Sequence, residues 1–448
     1  MSQPLPRITV IGTGYLGLTH AVCMADLGHQ VLAIDADEQK IARAAAGETP
    51  FFEPGLEPLL RKNLDSGRLR FTTSFADVGG FGDVHFLCVG TPEGEAGQAD
   101  LSFVYAAAEA LAPHLTAECL IVGKSTVPVG TARQVLDRVR AIAPAGDLVD
   151  LAWNPEFLRE GFAVRDGLAP DRLVFGVTSG RAEALLRRVY AAPLAAGIPA
   201  LVMDLETAEL VKLAANAFLA TKISFINAMA EVCEQAGGDV LMLAEALGHD
   251  ARIGRRFLSP GLGFGGGCLP KDVRAFRATA SALGVGSVDR LLATVDAINL
   301  GRRDRVVALA RAAAAGDLAG QRVAVLGVAF KPNSDDVRDS PSLAVCARLA
   351  AEGAIVSVHD PVATPNAATK QPGLRYAPSI SEAAAGADLV LHLTEWSDYR
   401  AIDPAALGRV VARRVIIDAR CCLDAGLWSE AGWSVHILGC PSRDVAAP

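Results

Sequence analysis

Residues 10 to 17 read Val10-Ile11-Gly12-Thr13-Gly14-Tyr15-Leu16-Gly17, a G-x-G-x-x-G turn between a β-rich run, Arg7 to Ile11, and a helical stretch. Asp35 stands at the end of the next candidate strand, Val31 to Asp35. Each glycine has its own task in that setting: Gly12 permits the tight turn, Gly14 lets the backbone approach a pyrophosphate, and Gly17 lets helix meet sheet. The helix N-terminus itself attracts phosphate. A carboxylate at Asp35 would accept from both ribose hydroxyls and repel a 2'-phosphate, which favours NAD over NADP as cofactor. The alternative is a glycine-rich turn with no ligand. Strand, helix and acidic residue at these spacings favour the dinucleotide.

Working outward, further candidate strands are Val84 to Val89, Leu120 to Lys124, Leu148 to Trp153 and Leu173 to Val177, separated by Ala/Leu-rich helical segments. That alternation predicts a parallel, doubly wound sheet. From Leu205 to Ala236 the chain has neither Gly nor Pro, and Gly237-Gly238 follows as a stop, so one long helix is expected there. Its middle, Leu213 to Thr221, carries no charge and should be covered on most sides, by its own domains or by a second subunit. A second alternating block begins at Gln321: strands Arg322 to Leu326, Ile355 to His359, Asp388 to Leu393 and Val415 to Asp418, with a helix Ser342 to Glu352 capped by Ser340-Pro341. The expectation is therefore an α/β protein: two Rossmann-like doubly wound domains joined by a long central helix and a helical middle domain. The boundaries expected are 1–203, 204–315 and 316–448.

Composition narrows the classes. The chain has 448 residues, 42 Lys plus Arg against 50 Asp plus Glu, and a net charge of -8, which disfavours nonspecific binding to nucleic acid or anionic membrane. The longest uncharged stretch, Ile8 to Ala25, is broken by Gly12, Gly14, Gly17 and His20, so no membrane span and no signal peptide is expected. Nine scattered cysteines without a Cys-x-x-Cys spacing indicate neither a disulfide framework nor a metal site, and point to the cytoplasm.

Three further segments carry chemistry. Gly263-Phe264-Gly265-Gly266-Gly267-Cys268-Leu269-Pro270-Lys271-Asp272 places a cysteine behind three glycines, at a helix start, beside a lysine, where a nucleophilic thiolate is expected. An inert cysteine in a glycine loop is the alternative. Asn154-Pro155-Glu156-Phe157-Leu158-Arg159-Glu160-Gly161 reads as one capped helical turn with Glu156 and Glu160 four apart on one face, either a general base or a solvated surface turn. Lys212 and Asn216, four apart on the long helix, could stabilise an oxyanion or merely line a core helix. Arg252, Arg255 and Arg256, with Lys331 and Arg338, are cations of the kind diphosphate recognition needs.

Taken together these segments resemble the NAD-dependent nucleotide-sugar dehydrogenases, the UDP-glucose/GDP-mannose dehydrogenase family. The resemblance covers nearly the whole chain and adds Glu53-Pro54-Gly55-Leu56, Gly90-Thr91-Pro92, Ser125-Thr126-Val127-Pro128, Arg252-Ile253-Gly254, Phe330-Lys331 to Arg338 and Thr394-Glu395-Trp396 to the motifs above. It implies a four-electron oxidation of a sugar C6 alcohol to a carboxylate, with Cys268 passing through a thiohemiacetal and a thioester. It further implies that Lys212 and Asn216 stabilise oxyanions, that Asp272 and Glu156 handle protons and water, and that Thr126 positions the water. NAD would lie at Gly12, Gly14, Tyr15, Leu16, Gly17, Asp35, Lys40, Thr91, Thr126, Glu160, Lys271 and Arg338. The nucleotide sugar would meet Glu156, Phe157, Leu158, Arg159, Glu160, Lys212 and Asn216; the loop Phe257, Leu258, Ser259, Pro260, Gly261 with Gly265; and Lys331 and Arg420. Arg252 would cross a subunit boundary in a homodimer or larger homo-oligomer.

Asp250 to Gly254 and Thr394 to Trp396 resemble the family members that oxidise UDP-glucose; GDP-mannose and UDP-N-acetylmannosamine are the other sugars the chemistry admits. A two-electron dehydrogenase with a structural Cys268, or a non-catalytic nucleotide sensor, are the alternative activities. The chain departs from the family pattern twice, at Gly267, where a small residue such as Ser or Ala is usual, and at Ala419-Arg420-Cys421, where Gly-Arg-Asn is common.

Overall fold

The computed structural model describes residues 4–95 and 97–440. The chain divides into two compact units, one built from the chain up to Ala215 together with Arg274–Gly284, the other from Asn216–Val273 and from Val285 onward.

In the first unit eight strands form one sheet: β1 (Ile8–Ile11), β2 (Val31–Ile34), β3 (Leu69–Thr72), β4 (Val84–Leu87), β5 (Cys119–Gly123), β6 (Val149–Trp153), β7 (Leu173–Val177) and β8 (Ala200–Met203), in the order β3-β2-β1-β4-β5-β6-β7-β8. Strands β1, β2, β4, β5 and β6 are buried at every position, as strands covered on both faces must be. Successive side chains serve different cores: Ile8 and Val10 pack with Leu18 and Val22 of helix α1 (Tyr15–Asp26), while Ile11 packs with Val135 and Val139 of helix α2 (Thr131–Ile142). The sheet is parallel from β3 to β6, but β7 runs antiparallel to β6, pairing Ala152 with Val177, and β8 follows β7. The expectation of a parallel sheet fails at this one junction, where the segment after β6 carries only a six-residue helix, Ala163–Leu168, before the chain returns along β6 in the opposite direction.

Helix α3 (Leu205–Ala236) has the 32 residues its sequence predicts. By length and composition it could cross a membrane, yet 44% of its apolar window is buried within the protein. Its buried positions include Glu209, Lys212 and Asn216, each bonded to other parts of the chain. Cover extends over one side only: Phe218, Phe225 and Val232 stay 66%, 48% and 56% exposed.

The second unit holds a six-stranded parallel sheet of β9 (Arg322–Leu326), β10 (Ile355–His359), β11 (Arg375–Tyr376), β12 (Leu389–His392), β13 (Val415–Asp418) and β14 (Ser434–Ile437), in the order β11-β10-β9-β12-β13-β14. Helices α4 (Leu269–Ala282), α5 (Gly286–Ala313) and α6 (Pro341–Ala351) follow the glycine–cysteine loop in sequence. As expected, Ser340 caps α6, its hydroxyl accepting from Leu343 N at 3.2 Å, with Pro341 at the first position.

Candidate active site

At the C-terminal end of β1 the three glycines answer to three different constraints. Gly12 has φ +93°, and a Cβ there would press on the backbone of Cys88 and Val89 at 3.1 Å. A Cβ on Gly17 would lie 1.8 Å from the carbonyl oxygen of Gly12, so α1 could not close on the turn. A Cβ on Gly14 would meet nothing within 4 Å, which leaves the N-terminus of α1 open to a phosphate. Asp35 Oδ2 accepts from Thr13 N at 2.8 Å and Thr13 Oγ1 at 3.0 Å, and Oδ1 from Asp37 N at 3.0 Å. Burial raises its pKa, but these donors and Lys40 outweigh that and hold the carboxyl below the usual range. A half-buried, oriented carboxylate beside an open helix N-terminus fits an adenosine ribose and pyrophosphate, so the residues present fit NAD. Thr91 Oγ1 donates to Thr126 O at 2.9 Å and Ser125 Oγ to Val89 O at 2.7 Å, tying together the loops after β4 and β5.

The segment Asn154 to Arg159 is irregular, not the capped helical turn its sequence suggests, and Glu156 and Glu160 do not share a helical face. Tertiary partners take the groups a helix would need. Asn154 is no cap: its side chain donates to Val174 O at 2.9 Å and accepts from Lys124 Nζ at 3.0 Å and Tyr190 Oη at 2.6 Å. Buried Glu53 accepts from Gly161 N at 2.6 Å, Ala163 N at 2.7 Å and Tyr15 Oη. Arg159 is clamped to Asp166 at 2.6 Å. Phe157 faces the Arg172 guanidinium at 3.8 Å. Glu156 receives Leu158 N at 2.5 Å and Lys212 Nζ at 2.9 Å, an ion pair whose side chains are 11% and 6% exposed. Glu160 is buried beside it in the chain, and Glu209 on α3 accepts from Gly130 N at 2.7 Å and Ala132 N at 2.6 Å, fastening the loop that bears Thr126. Burial pushes Glu209 up to about 7.

In the second unit Cys268 immediately precedes α4 and is exposed. Asp272, one turn on, donates its backbone N–H to Cys268 O at 2.9 Å. The buried Asp272 carboxylate takes Asn216 Nδ2 at 2.6 Å and Lys271 Nζ at 2.8 Å. The glycines before the cysteine are packed on, not loose: a Cβ on Gly265 would lie 2.4 Å from Asp339 O, and one on Gly267 would lie 2.3 Å from Cζ of Arg338. At Gly267 this chain therefore seats a guanidinium against the peptide next to the cysteine.

Other expected ligand residues divide by environment. Leu258, Pro260 and Gly261 are buried, with Gly261 N donating to Asn227 Oδ1 at 2.8 Å, whereas Phe257 and Ser259 are exposed. Arg252 is exposed and paired with Asp250 at 2.6 Å. Lys331 lies 5.1 Å from the Phe330 ring centroid. Arg420 donates to Leu393 O at 2.6 Å, Gly263 O at 3.2 Å and Phe330 O at 3.2 Å, so its guanidinium ties the cysteine loop to the loops after β9 and β12. Asp418 shapes that turn, accepting from the backbone N–H of Arg420, Cys422 and Leu423 and facing His392 Nδ1 at 2.8 Å. His392, Asp418 and Cys422 bring possible ligand atoms within 4.8 Å of one another, but the Asp418 oxygens are already occupied. Cys421, unexplained in the sequence, turns the chain at φ +53° and donates to Leu438 O at 3.2 Å.

Glu53, Lys124, Glu209 and Asp418 were not among the residues singled out for chemistry. Glu53 lies inside Glu53-Pro54-Gly55-Leu56, but nothing in that spacing shows that it holds the Gly161 segment. Chemically the arrangement offers an open dinucleotide turn, a carboxylate–lysine pair, an accessible thiol at a helix N-terminus, and an acid–amide–lysine cluster one turn from it.

Comparison with known proteins finds one family over most of the chain. The UDP-glucose/GDP-mannose dehydrogenase family matches in three parts: its NAD binding domain over residues 6–193, its central domain over 206–300 and its UDP binding domain over 324–425. A UDP-glucose 6-dehydrogenase of Rhizobium meliloti is 44% identical over 419 residues, 92% of this chain and 95% of that protein. The UDP-glucose 6-dehydrogenase TuaD of Bacillus subtilis is 39% identical over 98% of this chain and 94% of its own. Among solved structures, a UDP-glucose dehydrogenase of Pyrobaculum islandicum superposes with a TM-score of 0.88 at 38% identity, covering 95% of this chain and 96% of that one.

Proposed function

Because the chain belongs to the UDP-glucose/GDP-mannose dehydrogenase family, we propose that it oxidises UDP-glucose to UDP-glucuronate through a covalent intermediate on Cys268. It is an NAD-dependent oxidoreductase, and UDP-glucose is its substrate. The observation that carries the covalent route is the exposed thiol at the N-terminus of α4, one turn from the Asp272–Asn216–Lys271 cluster. Bound NAD would take up a hydride in each of the two oxidations. After the first, Cys268 Sγ adds to the C6 aldehyde and the aldehyde oxygen gains a proton, giving a thiohemiacetal. The second oxidation leaves a thioester, and water splits it into the carboxylate and the free thiol, with release of a proton. Lys212 and Asn216, one turn apart on α3, donate to the oxygen on which negative charge develops. Glu156 and Asp272 exchange protons with substrate and water, and the loop of Thr126 positions the water.

The NAD and nucleotide-sugar residues expected from the sequence are carried as part of this reading. So is assembly as a homo-oligomer, for which Phe218, Phe225 and Val232 supply an exposed apolar stripe at seven-residue spacing along α3. Nine cysteines scattered without a Cys-x-x-Cys spacing suit the reducing cytoplasm, where we place the protein.

The test is the NADH formed per UDP-glucose consumed, with sugar limiting and NAD in excess. Two is expected; one would leave a simple alcohol dehydrogenase, and no turnover alongside turnover of GDP-mannose or UDP-N-acetylmannosamine would move the substrate. Cys268→Ser should keep NAD binding and lose acid formation, and acid made at near the wild-type rate would refute the thioester.

A further inference from the structure

Strand β5 ends at Gly123, and the next residue is a buried lysine. Lys124 Nζ donates to Asn154 Oδ1 at 3.0 Å and lies 3.4 Å from Tyr190 Oη, with the Phe86 and Tyr190 rings at 5.8 and 5.9 Å. Among the described residues no carboxylate stands within ion-pair distance of it, whereas the other buried lysine, Lys212, has Glu156. A cation buried on an amide, a phenol and two ring faces is costly, since hydrogen bonds and cation–π contacts replace hydration only in part. A neutral donor such as glutamine could bond Asn154 without that cost. What lysine adds is charge. The charge is placed where it can be used: Lys124 attracts Glu156 while it repels Lys212, and Asn154, which it grips, opens the irregular segment that carries Glu156.

We propose that Lys124 is a positioning residue of the oxidation site, whose buried positive charge, anchored on Asn154, orients and electrostatically supports Glu156, the carboxylate that Lys212 also meets. The inference rests on the function proposed above. The titratable groups that meet Lys124 are His20 from α1, Cys88 after β4, Tyr190, Glu156 and Lys212. Burial holds His20 neutral, pushes the Cys88 thiol up to about 12 and raises the Tyr190 phenol, so near neutral pH the charged neighbours are Glu156 and Lys212. Burial also lowers Lys124 to about 8, so its charge is lost as pH rises through that value. Because its folded pKa lies below its unfolded one, the charged form costs stability at neutral pH and that cost is relieved above about 8.

Lys124→Met and Lys124→Gln provide the test, with kcat, KM and Tm measured from pH 6 to 10. The expected result is a kcat reduced about tenfold or more near pH 7, KM values for NAD and UDP-glucose within about twofold, and a Tm no lower than the wild type's. The wild-type kcat should decline as pH passes about 8, and both variants should lack that limb. Retention of kcat within about twofold in either folded variant would overturn the proposal, as would a loss of activity that tracks a fall in Tm. If the methionine variant fails to fold, the glutamine variant, which keeps the donor to Asn154, decides. An inactive wild type would instead refute the proposed function.

Discussion

The two sheets share a strand order over six strands, β3-β2-β1-β4-β5-β6 in one unit and β11-β10-β9-β12-β13-β14 in the other, yet they finish the same corner in opposite ways. After β1 the chain turns at Gly12 and enters α1 at Tyr15; after β9 it turns at Gly327, φ +94°, and wanders to Ser340 before α6 begins. Both corners end the second strand on an aspartate. Asp35 is half-buried, bonded to Thr13 and Asp37, and has acceptor capacity left. Asp360 is buried and saturated, taking Val328 N at 2.8 Å, Ala329 N at 3.0 Å, Val362 N at 3.1 Å and Ala363 N at 2.8 Å. One framework thus yields an open helix N-terminus suited to a pyrophosphate, and a sealed corner that projects a long loop bearing Lys331 and Arg338. The carboxylate keeps acceptor capacity for a ligand in the first case and braces a loop in the second.

Gly17→Ala should break the open corner most severely. Its Cβ would sit 1.8 Å from Gly12 O, and backbone cannot yield cheaply, so NAD affinity should fall at least ~100-fold, about 3 kcal/mol, in a fluorescence titration. Near-normal affinity would show that the turn is not the cofactor site. Asp360→Ala tests the sealed corner: four N–H donors lose their acceptor, and stability should drop by about 3 kcal/mol in denaturant unfolding. Trp396, Trp428 and Trp433, all in that unit, report the transition. The matching change at Asp35 should leave stability within about 1 kcal/mol but weaken NAD about tenfold and relax discrimination against NADP. If Asp35→Ala destabilised as much as Asp360→Ala and left cofactor preference intact, the distinction between ligand-binding and bracing aspartates would collapse.

Much of this was legible in the chain. Helix α3 needed only the run without Gly or Pro, and the dinucleotide corner only three glycines, a strand pattern and an aspartate at the next strand's end. The strands that escaped, β3, β8, β11 and β14, are outer or near-outer strands with partly exposed residues and therefore without the continuous apolar run of the inner ones. The Asn154 to Gly161 segment was misread because Asn-Pro-Glu with a later Gly is also good helix-turn grammar; nothing local reveals that Lys124, Tyr190, Val174 and Glu53 will claim its polar groups.

By itself, then, the sequence determined the class of the fold, the long helix, the open turn and the place of Cys268 just before a helix, since these depend on periodicity, backbone freedom and residue type within short windows. Only the tertiary structure decided the reversal at β7, the pairing of Glu156 with Lys212 and of Asn216 with Asp272, and the burial of Lys124. Each of those is an electrostatic or packing choice among groups distant in the chain, whose free energy exists only once water has been excluded from between them.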